Sequence, residues 1–335
     1  MTANALLTVD GLRVGFGKTG FLLTALRDVS FRLEPGKTLA LVGESGSGKS
    51  VSSLAIMGLL PRNGHVMGGS IQYRRADGSV VDLATTDETT RRRIRGAEIA
   101  MIFQEPMSSL NPLFTVGDQI GEMLMLHTDL DAAARRKRVI EMLELVEIPA
   151  AATRLDQYPH EMSGGMRQRI MIALALVCKP RLLIADEPTT ALDVTVQAQI
   201  LDLMRRLQKE MGMSILFITH DMGVVAEIAD EVAVMYAGAI VENAPALDLF
   251  DAPSHPYTQG LLASIPTPGR DGSTRLVPIP GAVPSLAAMP PGCAFAPRCS
   301  HATPACEKPV TLTPATPAHK VACWNYQRIR EAAHV

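Results

Sequence analysis

The chain has 335 residues, of which 47% are hydrophobic and 20% are charged, and its formal net charge is -2. This length predicts two domains, or one large domain with an appendage, and the hydrophobic content excludes wholesale disorder. The net charge argues against a nucleic-acid binder held by phosphate contacts. No apolar run reaches the roughly 18 residues that span a bilayer, and the N-terminal residues lack the pattern of a secretory signal. We therefore expect a cytoplasmic protein that meets a membrane only through a partner.

Residues 1–250 have the pattern of an α/β domain. The predicted strands are short and apolar, and they span 6–14, 29–33, 38–42, 182–185 and 214–219. The predicted helices span 50–59, 132–146 and 196–211. Arg-, Leu- and Met-rich stretches with helical spacing indicate a helical subdomain at about 90–165. Strands that alternate with helices predict a parallel sheet at the core.

A glycine-rich segment follows the strand predicted at 38–42 and opens the next helix. It fits the pattern GxxxxGK[ST] with Gly43, Glu44, Ser45, Gly46, Ser47, Gly48, Lys49 and Ser50, and Val51 follows it. Small residues let consecutive N–H groups converge on phosphates at a helix N-terminus, which already favours anions. Lys49 can reach the β- and γ-phosphates, and the Ser50 hydroxyl can bind Mg²⁺. The pattern predicts an ATP site, with a glycine turn that only caps a helix as the alternative.

Two carboxylates end the strand predicted at 182–185. This placement puts Asp186 near the metal and leaves Glu187 to polarise an attacking water. Taken alone, an Asp-Glu pair after an apolar strand is more often an ordinary strand end. After a phosphate loop more than a hundred residues upstream, it indicates nucleotide hydrolysis.

Further segments, in this order along the chain, resemble those of ABC-transporter ATPase subunits. They contain Gln104, then Ser163, Gly164 and Gly165, then Asp193, and finally His220. The resemblance covers roughly residues 6–250 and implies a RecA-like parallel sheet, an antiparallel β subdomain and the helical subdomain. It implies that Gln104 contacts Mg²⁺ together with Ser50 and Asp186. It also implies that His220 and Gln104 act with Glu187 in catalysis and that Asp193 belongs to the nucleotide site.

The same resemblance implies an adenine contact and a partner subunit. Phe16, with Phe21 as second choice, is the aromatic residue expected to stack on adenine. The residues Ser163 to Gly165 form a second helix start suited to an anion, and in the family this segment grips ATP held by the opposite subunit. Because Met166 stands where the family usually has Gln, we expect a heterodimer with a second ATPase subunit, and a homodimer is the alternative.

Residues 251–335 form the predicted C-terminal extension. They hold 14 of the 23 prolines and four of the five cysteines, so an irregular appended lobe is expected. Cys293, Cys299, Cys306 and Cys323 have 5, 6 and 16 residues between them, without a CxxC pair. In a cytoplasmic protein such a group indicates a metal or iron–sulfur site before disulfides. Soft thiolates suit iron–sulfur or zinc.

The segments 255–262 and 293–299 resemble the tail of the oligopeptide/dipeptide importer branch. This resemblance implies a [4Fe–4S] cluster on the four cysteines, with zinc as the alternative. It further implies an ATPase that couples hydrolysis to uptake of dipeptides or oligopeptides at the cytoplasmic face of the membrane. The implied partners are two transmembrane permease subunits and an extracytoplasmic peptide-binding protein, and nucleic acid is excluded. Nickel, glutathione or another small solute is the alternative cargo, and a soluble ABC ATPase or a redox protein is less favoured.

Overall fold

The computed structural model describes residues 4–18, 21–104, 109–190, 192–265 and 278–333. The strands of the described chain are β1 (Leu7–Lys18), β2 (Phe21–Leu33), β3 (Thr38–Val42), β4 (Gly64–Arg74), β5 (Val80–Asp82), β6 (Ile99–Ile102), β7 (Leu182–Asp186), β8 (Ser214–Thr219), β9 (Glu231–Tyr236), β10 (Ala239–Pro245), β11 (Thr313–Pro314) and β12 (Lys320–Val321).

Helices connect and cover these strands. The α-helices of the described chain are α1 (Lys49–Met57), α2 (Glu88–Ile94), α3 (Val116–His127), α4 (Ala132–Leu145), α5 (Ala151–Arg154), α6 (Gly164–Leu176), α7 (Val194–Met211), α8 (Met222–Ile228), α9 (Ala246–Asp251), α10 (Pro256–Ala263) and α11 (Tyr326–Ala333). Short 3₁₀ helices span Pro159–Glu161, Ala296–Arg298 and Pro304–Glu307.

The strands form two sheets. The smaller sheet has the order β2-β1-β4-β5 and is antiparallel. The larger sheet has the order β11-β12-β10-β9-β3-β8-β7-β6, in which β9, β3, β8, β7 and β6 run parallel. Strands β3, β7 and β8 are buried along their whole length, because helices α6, α7 and α8 cover one face and α1 with the antiparallel sheet covers the other. These strands therefore read as continuous apolar runs. The predicted α/β class, with a parallel sheet and a separate antiparallel one, is confirmed.

One part of the predicted helical range is a strand. The range 90–165 contains β6, an apolar segment of four residues that pairs in parallel with β7 at the edge of the larger sheet. Its short length hid it from a periodicity argument, since a run of four apolar residues fits a helix turn as well as a strand. The helices α3, α4 and α5 follow it, and they share an apolar core with α6 and α7.

The topology brings four chain segments to one edge of the larger sheet. Strands β3, β8, β7 and β6 are neighbours in that order and run in the same direction. Their carboxyl ends therefore lie side by side, at the edge where open α/β sheets bind ligands. The segments that follow these four ends contain Gly43, His220, Glu187 and Gln104.

The C-terminal lobe, defined here as residues 251–265 and 278–333, lies at the β10 edge of the larger sheet and packs its apolar residues on β3 and β9. Its strands β11 and β12 extend the larger sheet beside β10. Tyr257 and Phe295 are buried against Tyr236 at the end of β9, with ring centroids 4.6 and 5.3 Å from the Tyr236 ring. Prolines keep the elements short, and α10 and α11 have eight residues each.

Candidate nucleotide-binding and hydrolysis site

The loop between β3 and α1 needs glycine at two positions for steric reasons. Gly43 has a φ of +154°, and a Cβ there would lie 2.1 Å from the carbonyl oxygen of Met235. Gly48, the N-cap of α1, has a φ of +103°, and its Cβ would lie 2.7 Å from Leu26. Larger residues would thus push the loop away from β9 at Gly43 and away from β2 at Gly48. The glycines at the ends of the loop are what allow it to turn directly into a helix start.

Lys49 places its ammonium group in the hollow of this loop. Its Nζ donates to the carbonyl oxygens of Gly43 and Glu44 at 2.7 and 3.1 Å, and the residue is 5% exposed. Burial lowers the pKa of Lys49, whereas the nearby carboxylates of Glu187, Asp186 and Glu44 oppose that shift. An ammonium group that bonds to carbonyl oxygens in this hollow can bond to phosphate oxygens there instead, so its position suits phosphate binding.

Ser50 and Asp186 form the oxygen pair predicted to hold a metal ion. The Ser50 hydroxyl donates to Asp186 Oδ1 at 3.2 Å, and the Ser53 hydroxyl donates to Oδ2 at 3.3 Å. Burial raises the pKa of Asp186, while these two hydrogen bonds act in the opposite direction. A hydroxyl and a carboxylate beside a phosphate-binding loop are the oxygen donors that Mg²⁺ prefers, so the residues present fit this ion.

The three residues predicted to be catalytic meet at the Glu187 carboxylate. His220 Nδ1 lies 3.2 Å from Oε1, and Gln104 Nε2 lies 3.5 Å from Oε2, which also accepts a hydrogen bond from the Thr190 hydroxyl at 3.0 Å. Burial would raise the pKa of Glu187, but the contacts with His220 and Thr190 outweigh it, and the pKa lies below its ordinary value. The carboxylate is therefore ionised at neutral pH and able to accept a proton.

The backbone at Glu187 is also unusual. Its φ is +48°, in the left-handed region that residues with a Cβ seldom adopt. Its N–H donates to the carbonyl oxygen of Ile218 in β8 at 2.9 Å, which fixes the turn at the end of β7. Strain of this kind persists only where the surroundings enforce it, and it clusters at functional sites.

The remaining nucleotide-site predictions fall on helix starts. Ser163 is the N-cap of α6 and accepts from the N–H of Met166 at 3.3 Å, and Asp193 caps α7 by accepting from Val196 at 3.0 Å. Gly164 and Gly165 form the first turn of α6, and a Cβ at Gly164 would meet no atom within 4 Å. These contacts are local to each helix. Ser163 and Gly164 are exposed at the start of α6.

The predicted adenine contact lies on the antiparallel sheet. Phe16 is half-buried in β1, and its ring covers Gly64 of β4 closely enough that a Cβ there would be 2.8 Å from it. Val51 is also half-buried, in α1, and packs on the same apolar cluster. The side chain of Phe21, the second choice, lies outside the described residues. Phe16 has a packing role in the fold, and adenine stacking stays a prediction.

The four cysteines of the lobe line one cavity. Cys293, Cys299, Cys306 and Cys323 are free thiols around this cavity, beside His255 and His301. Among the residues that the structure describes, no group of three or more His, Cys, Asp or Glu side chains is arranged to hold a metal ion. Burial raises the pKa of Cys293, Cys299 and Cys323, the last to about 12. A metal bound there would have to displace thiol protons.

Sequence reasoning missed the contacts that join the lobe to the phosphate loop. Arg298 donates from Nη1 and Nη2 to the Glu44 carboxylate at 2.6 and 3.0 Å, and the N–H of Glu44 donates to the Tyr257 hydroxyl at 2.8 Å. Tyr257 and Arg298 of the lobe therefore touch the phosphate loop of the ATP-binding core. Tyr257 and Arg298 lie within the two segments that resemble the importer tail, which is the only signal the sequence offers for them.

Comparisons with known proteins agree with this geometry. Residues 26–190 match the family model described as ABC transporter, and residues 241–306 match the one described as oligopeptide/dipeptide transporter, C-terminal region. A protein of Brucella ovis named as a peptide import ATP-binding protein is 54% identical, over 98% of this chain and 99% of its own. The dipeptide transport ATP-binding protein DppD of Bacillus subtilis is 50% identical, over 98% and 96%.

Two solved structures resemble this chain over about three quarters of its length. The dimeric ATP-binding cassette MJ0796 in a post-hydrolysis state, bound to ADP and Pi, is 25% identical with a TM-score of 0.62, over 72% of this chain and 98% of its own. The cbiO1 protein of Clostridium perfringens, part of the transporter complex cbiONQ, is 27% identical with a TM-score of 0.62, over 74% and 91%. In the described part of this chain, every helix is too short or too polar to cross a bilayer.

Proposed function

The chain belongs to the ABC transporter ATPases that carry an oligopeptide/dipeptide transporter C-terminal region, and on this premise we propose that it powers uptake of dipeptides or oligopeptides by hydrolysing ATP. The observation that carries the chemistry is the convergence of Gln104, His220 and Thr190 on the Glu187 carboxylate, at the sheet edge that also holds the phosphate loop. The cargo is proposed from the relatives' names. A nickel, glutathione or other small-solute importer is the second candidate.

In this proposal each residue has a separate task. Lys49 and the N–H groups of the loop from Gly43 to Ser50 hold the phosphates. Ser50, Asp186 and Gln104 would hold Mg²⁺, which offsets phosphate charge when bound. Glu187 accepts the proton of the water that attacks the γ-phosphorus as the bond to ADP breaks. His220 holds the Glu187 carboxylate in place from the end of β8, and Phe16 stacks on adenine.

The test is Glu187→Gln in the assembled transporter. Turnover should fall by about a hundredfold or more, since a general base contributes about 10²–10⁴ to a rate. Equilibrium binding of ATP should persist, because Lys49 and Ser50 are unchanged. Glu210→Gln, the same change at an exposed position of α7, is the matched control and should hydrolyse ATP normally. Near-normal turnover of Glu187→Gln would contradict the role of this carboxylate.

A second part of the proposal concerns partners. The open helix start at Ser163, Gly164 and Gly165 suits the phosphates of ATP held by another ATPase subunit, with Asp193 at the start of the neighbouring helix. We place the chain at the cytoplasmic face of a membrane, in a heterodimer with a second ATPase, on two permease subunits that receive peptide from an extracytoplasmic binding protein. Purification of the tagged chain from membranes tests this arrangement. Recovery of the tagged chain paired only with itself would exclude the heterodimer.

A third part concerns the thiol cavity. Four thiols line one cavity, and thiolates are the kind of ligand that a [4Fe–4S] cluster takes, although the side chains would have to move to bind it. We propose this cluster at Cys293, Cys299, Cys306 and Cys323, with zinc as the alternative. Anaerobically purified protein should contain about four irons per chain, and a Cys306→Ser variant should lose them. Cys178→Ser, at the cysteine outside this cavity, is the matched control. One zinc per chain without iron would show that a single zinc ion, and not the cluster, binds to the thiols.

A further inference from the structure

Each polar group of Glu44 has a hydrogen-bond partner, and two of its three partner residues belong to the C-terminal lobe. The carbonyl oxygen accepts from Lys49, within the phosphate loop. The N–H donates to the Tyr257 hydroxyl, and the carboxylate accepts two hydrogen bonds from Arg298. Glu44 is the second residue of the loop, so its backbone direction sets the path of the N–H groups that follow. The lobe thus holds the phosphate loop at its beginning.

Arg298 is itself held rigidly. Its Nε donates to the carbonyl oxygen of Pro280 at 2.7 Å, and its Nη2 donates to that of Ile279 at 3.2 Å. The guanidinium lies 5.8 Å from the ring centroids of both Tyr236 and Phe295. Only 4% of the side chain is exposed. A planar group fixed by backbone carbonyls and aromatic rings presents its remaining N–H groups to Glu44 with little entropy left to lose.

The ion pair between Arg298 and Glu44 also affects the charge of the phosphate loop. The Glu44 carboxylate lies close enough to Lys49 to influence the pKa of that residue, and an anionic phosphate must enter the same loop. Arg298 neutralises this carboxylate with a bidentate ion pair, in which the guanidinium is buried and the Glu44 side chain is 31% exposed. Without the guanidinium, Glu44 would repel the phosphates and would lose the contact that fixes its orientation. Both effects act on binding of nucleotide, and neither touches the cluster around Glu187.

We propose that the C-terminal lobe positions the phosphate loop for nucleotide through Arg298 and Tyr257, so that order in the lobe controls the affinity for ATP. Arg298 and Tyr257 are positioning residues, since they act through Glu44. The segment Ala296–Arg298 runs directly into Cys299 of the thiol cavity. A change at the thiols is therefore transmitted to the loop by one step along the chain. This inference rests on the proposed ATP site and adds the element that regulates it.

The experiment measures ATP binding by the full-length chain and the steady-state kinetics of the assembled transporter. Arg298→Gln should weaken ATP binding about tenfold, within the range of about 5- to 150-fold that is common for coupled sites. The KM for ATP should rise in parallel, and kcat at saturating ATP should stay within about twofold. Arg298→Lys keeps the positive charge but lacks the planar guanidinium that makes two hydrogen bonds to one carboxylate. Its affinity for ATP should lie between those of Arg298→Gln and wild type. Arg328→Gln, at an exposed arginine of the same lobe, is the matched control.

Double variants separate this route from a general loss of stability. In a Glu44→Gln background, Arg298→Gln should have little further effect, because the repelling carboxylate is already gone. Cys299→Ser should likewise weaken ATP binding in wild type and have little effect in Arg298→Gln. If Arg298→Gln does not fold, Tyr257→Phe tests the second contact with Glu44 and should weaken ATP binding.

Two results would overturn the inference. Unchanged ATP affinity in a folded Arg298→Gln protein would show that the loop does not depend on the lobe. Fully additive effects of the Glu44 and Arg298 substitutions would show that the pair is not the route. Failure of the proposed function has a different signature, since it would appear in wild-type protein as an absence of peptide-dependent ATP hydrolysis.

Discussion

Glu242 gives the most quantitative prediction, because this carboxylate is wholly buried and joins two distant segments of the lobe to the larger sheet. It lies in β10, and its Oε1 accepts from the N–H of Ser254 at 2.6 Å and from Nε2 of His319 at 2.7 Å. Its Oε2 accepts from the N–H of His255 at 3.0 Å. Ser254 and His255 precede α10, and His319 directly precedes β12. One side chain thus satisfies three buried donors from two distant segments.

The Glu242→Gln substitution keeps the shape and changes the hydrogen bonding. The amide oxygen can replace Oε1 and keep two of the hydrogen bonds, without the charge that strengthened them. The amide NH₂ then faces the N–H of His255, so one buried donor loses its acceptor. A hydrogen bond to a charged group contributes about 1.5–3 kcal/mol, and an unsatisfied buried donor costs about 1–3 kcal/mol. We expect the docking of 254–255 to weaken by about 2–3 kcal/mol, which is about 30- to 150-fold in its equilibrium constant.

Hydrogen exchange of the amides of Ser254 and His255 measures this change directly. Their exchange should accelerate by that factor in Glu242→Gln if they exchange by local opening. Amides of β3 and β8, in the middle of the sheet, should change much less. Asp251→Asn, the same chemical change at an exposed position nearby, should leave these rates unaltered. Rates within about twofold of wild type at residues 254–255 would refute the account of Glu242 as the acceptor that holds the lobe.

Two further predictions concern the phosphate loop. Gly43→Ala should abolish ATP binding, because its Cβ would lie 2.1 Å from the carbonyl oxygen of Met235. Gly46→Ala should retain most of the binding, because no atom lies within 4 Å of its Cβ although its φ is +79°. Titration with ATP compares the two variants, and equal losses would contradict the steric argument. Lys49→Ala should weaken ATP binding itself, not only turnover, because it removes the positive charge that faces the phosphates. Lys209→Ala, at an exposed lysine in the last turn of α7, is the control. Unchanged binding in Lys49→Ala would show that the ammonium does not contact phosphate.

Local sequence patterns predicted the parts of the site that are contiguous in the chain. The loop from Gly43 to Ser50 has its own steric requirements. Asp186 ends a strand whose five residues are all buried, and Glu187 follows it directly. The gathering of Gln104, Glu187 and His220 needed one more step. It follows from parallel strands whose carboxyl ends share an edge, and the sequence indicated such a sheet through its alternation of strands and helices.

The contacts of the lobe could not be predicted in this way. Arg298 and Glu44 are 254 positions apart, and no periodicity relates residues at that separation. Glu242 stands in an apolar strand where a single charged residue usually marks a solvent-facing position. Both acquire their partners only when the chain returns to the sheet after many residues. Such long-range polar pairs are set by tertiary packing, which a pattern of apolar residues does not encode.

The way the lobe is held bears on what its thiols can control. Tyr257 and Phe295 are buried, and their ring centroids are 5.4 Å apart, beside Tyr236 of β9. Truncation of a buried aromatic residue costs about 3–5 kcal/mol, so these rings, with the Glu242 hydrogen bonds, can dock the lobe without any metal. A metal at the thiols would then add order mainly to the segment from Cys293 to Cys323. Since Arg298 lies inside that segment and Tyr257 lies outside it, loss of such a metal would release the Glu44 carboxylate while the N–H of Glu44 stays bound to Tyr257. The phosphate loop would lose one of its two anchors, which favours graded control of ATP affinity over an on–off switch.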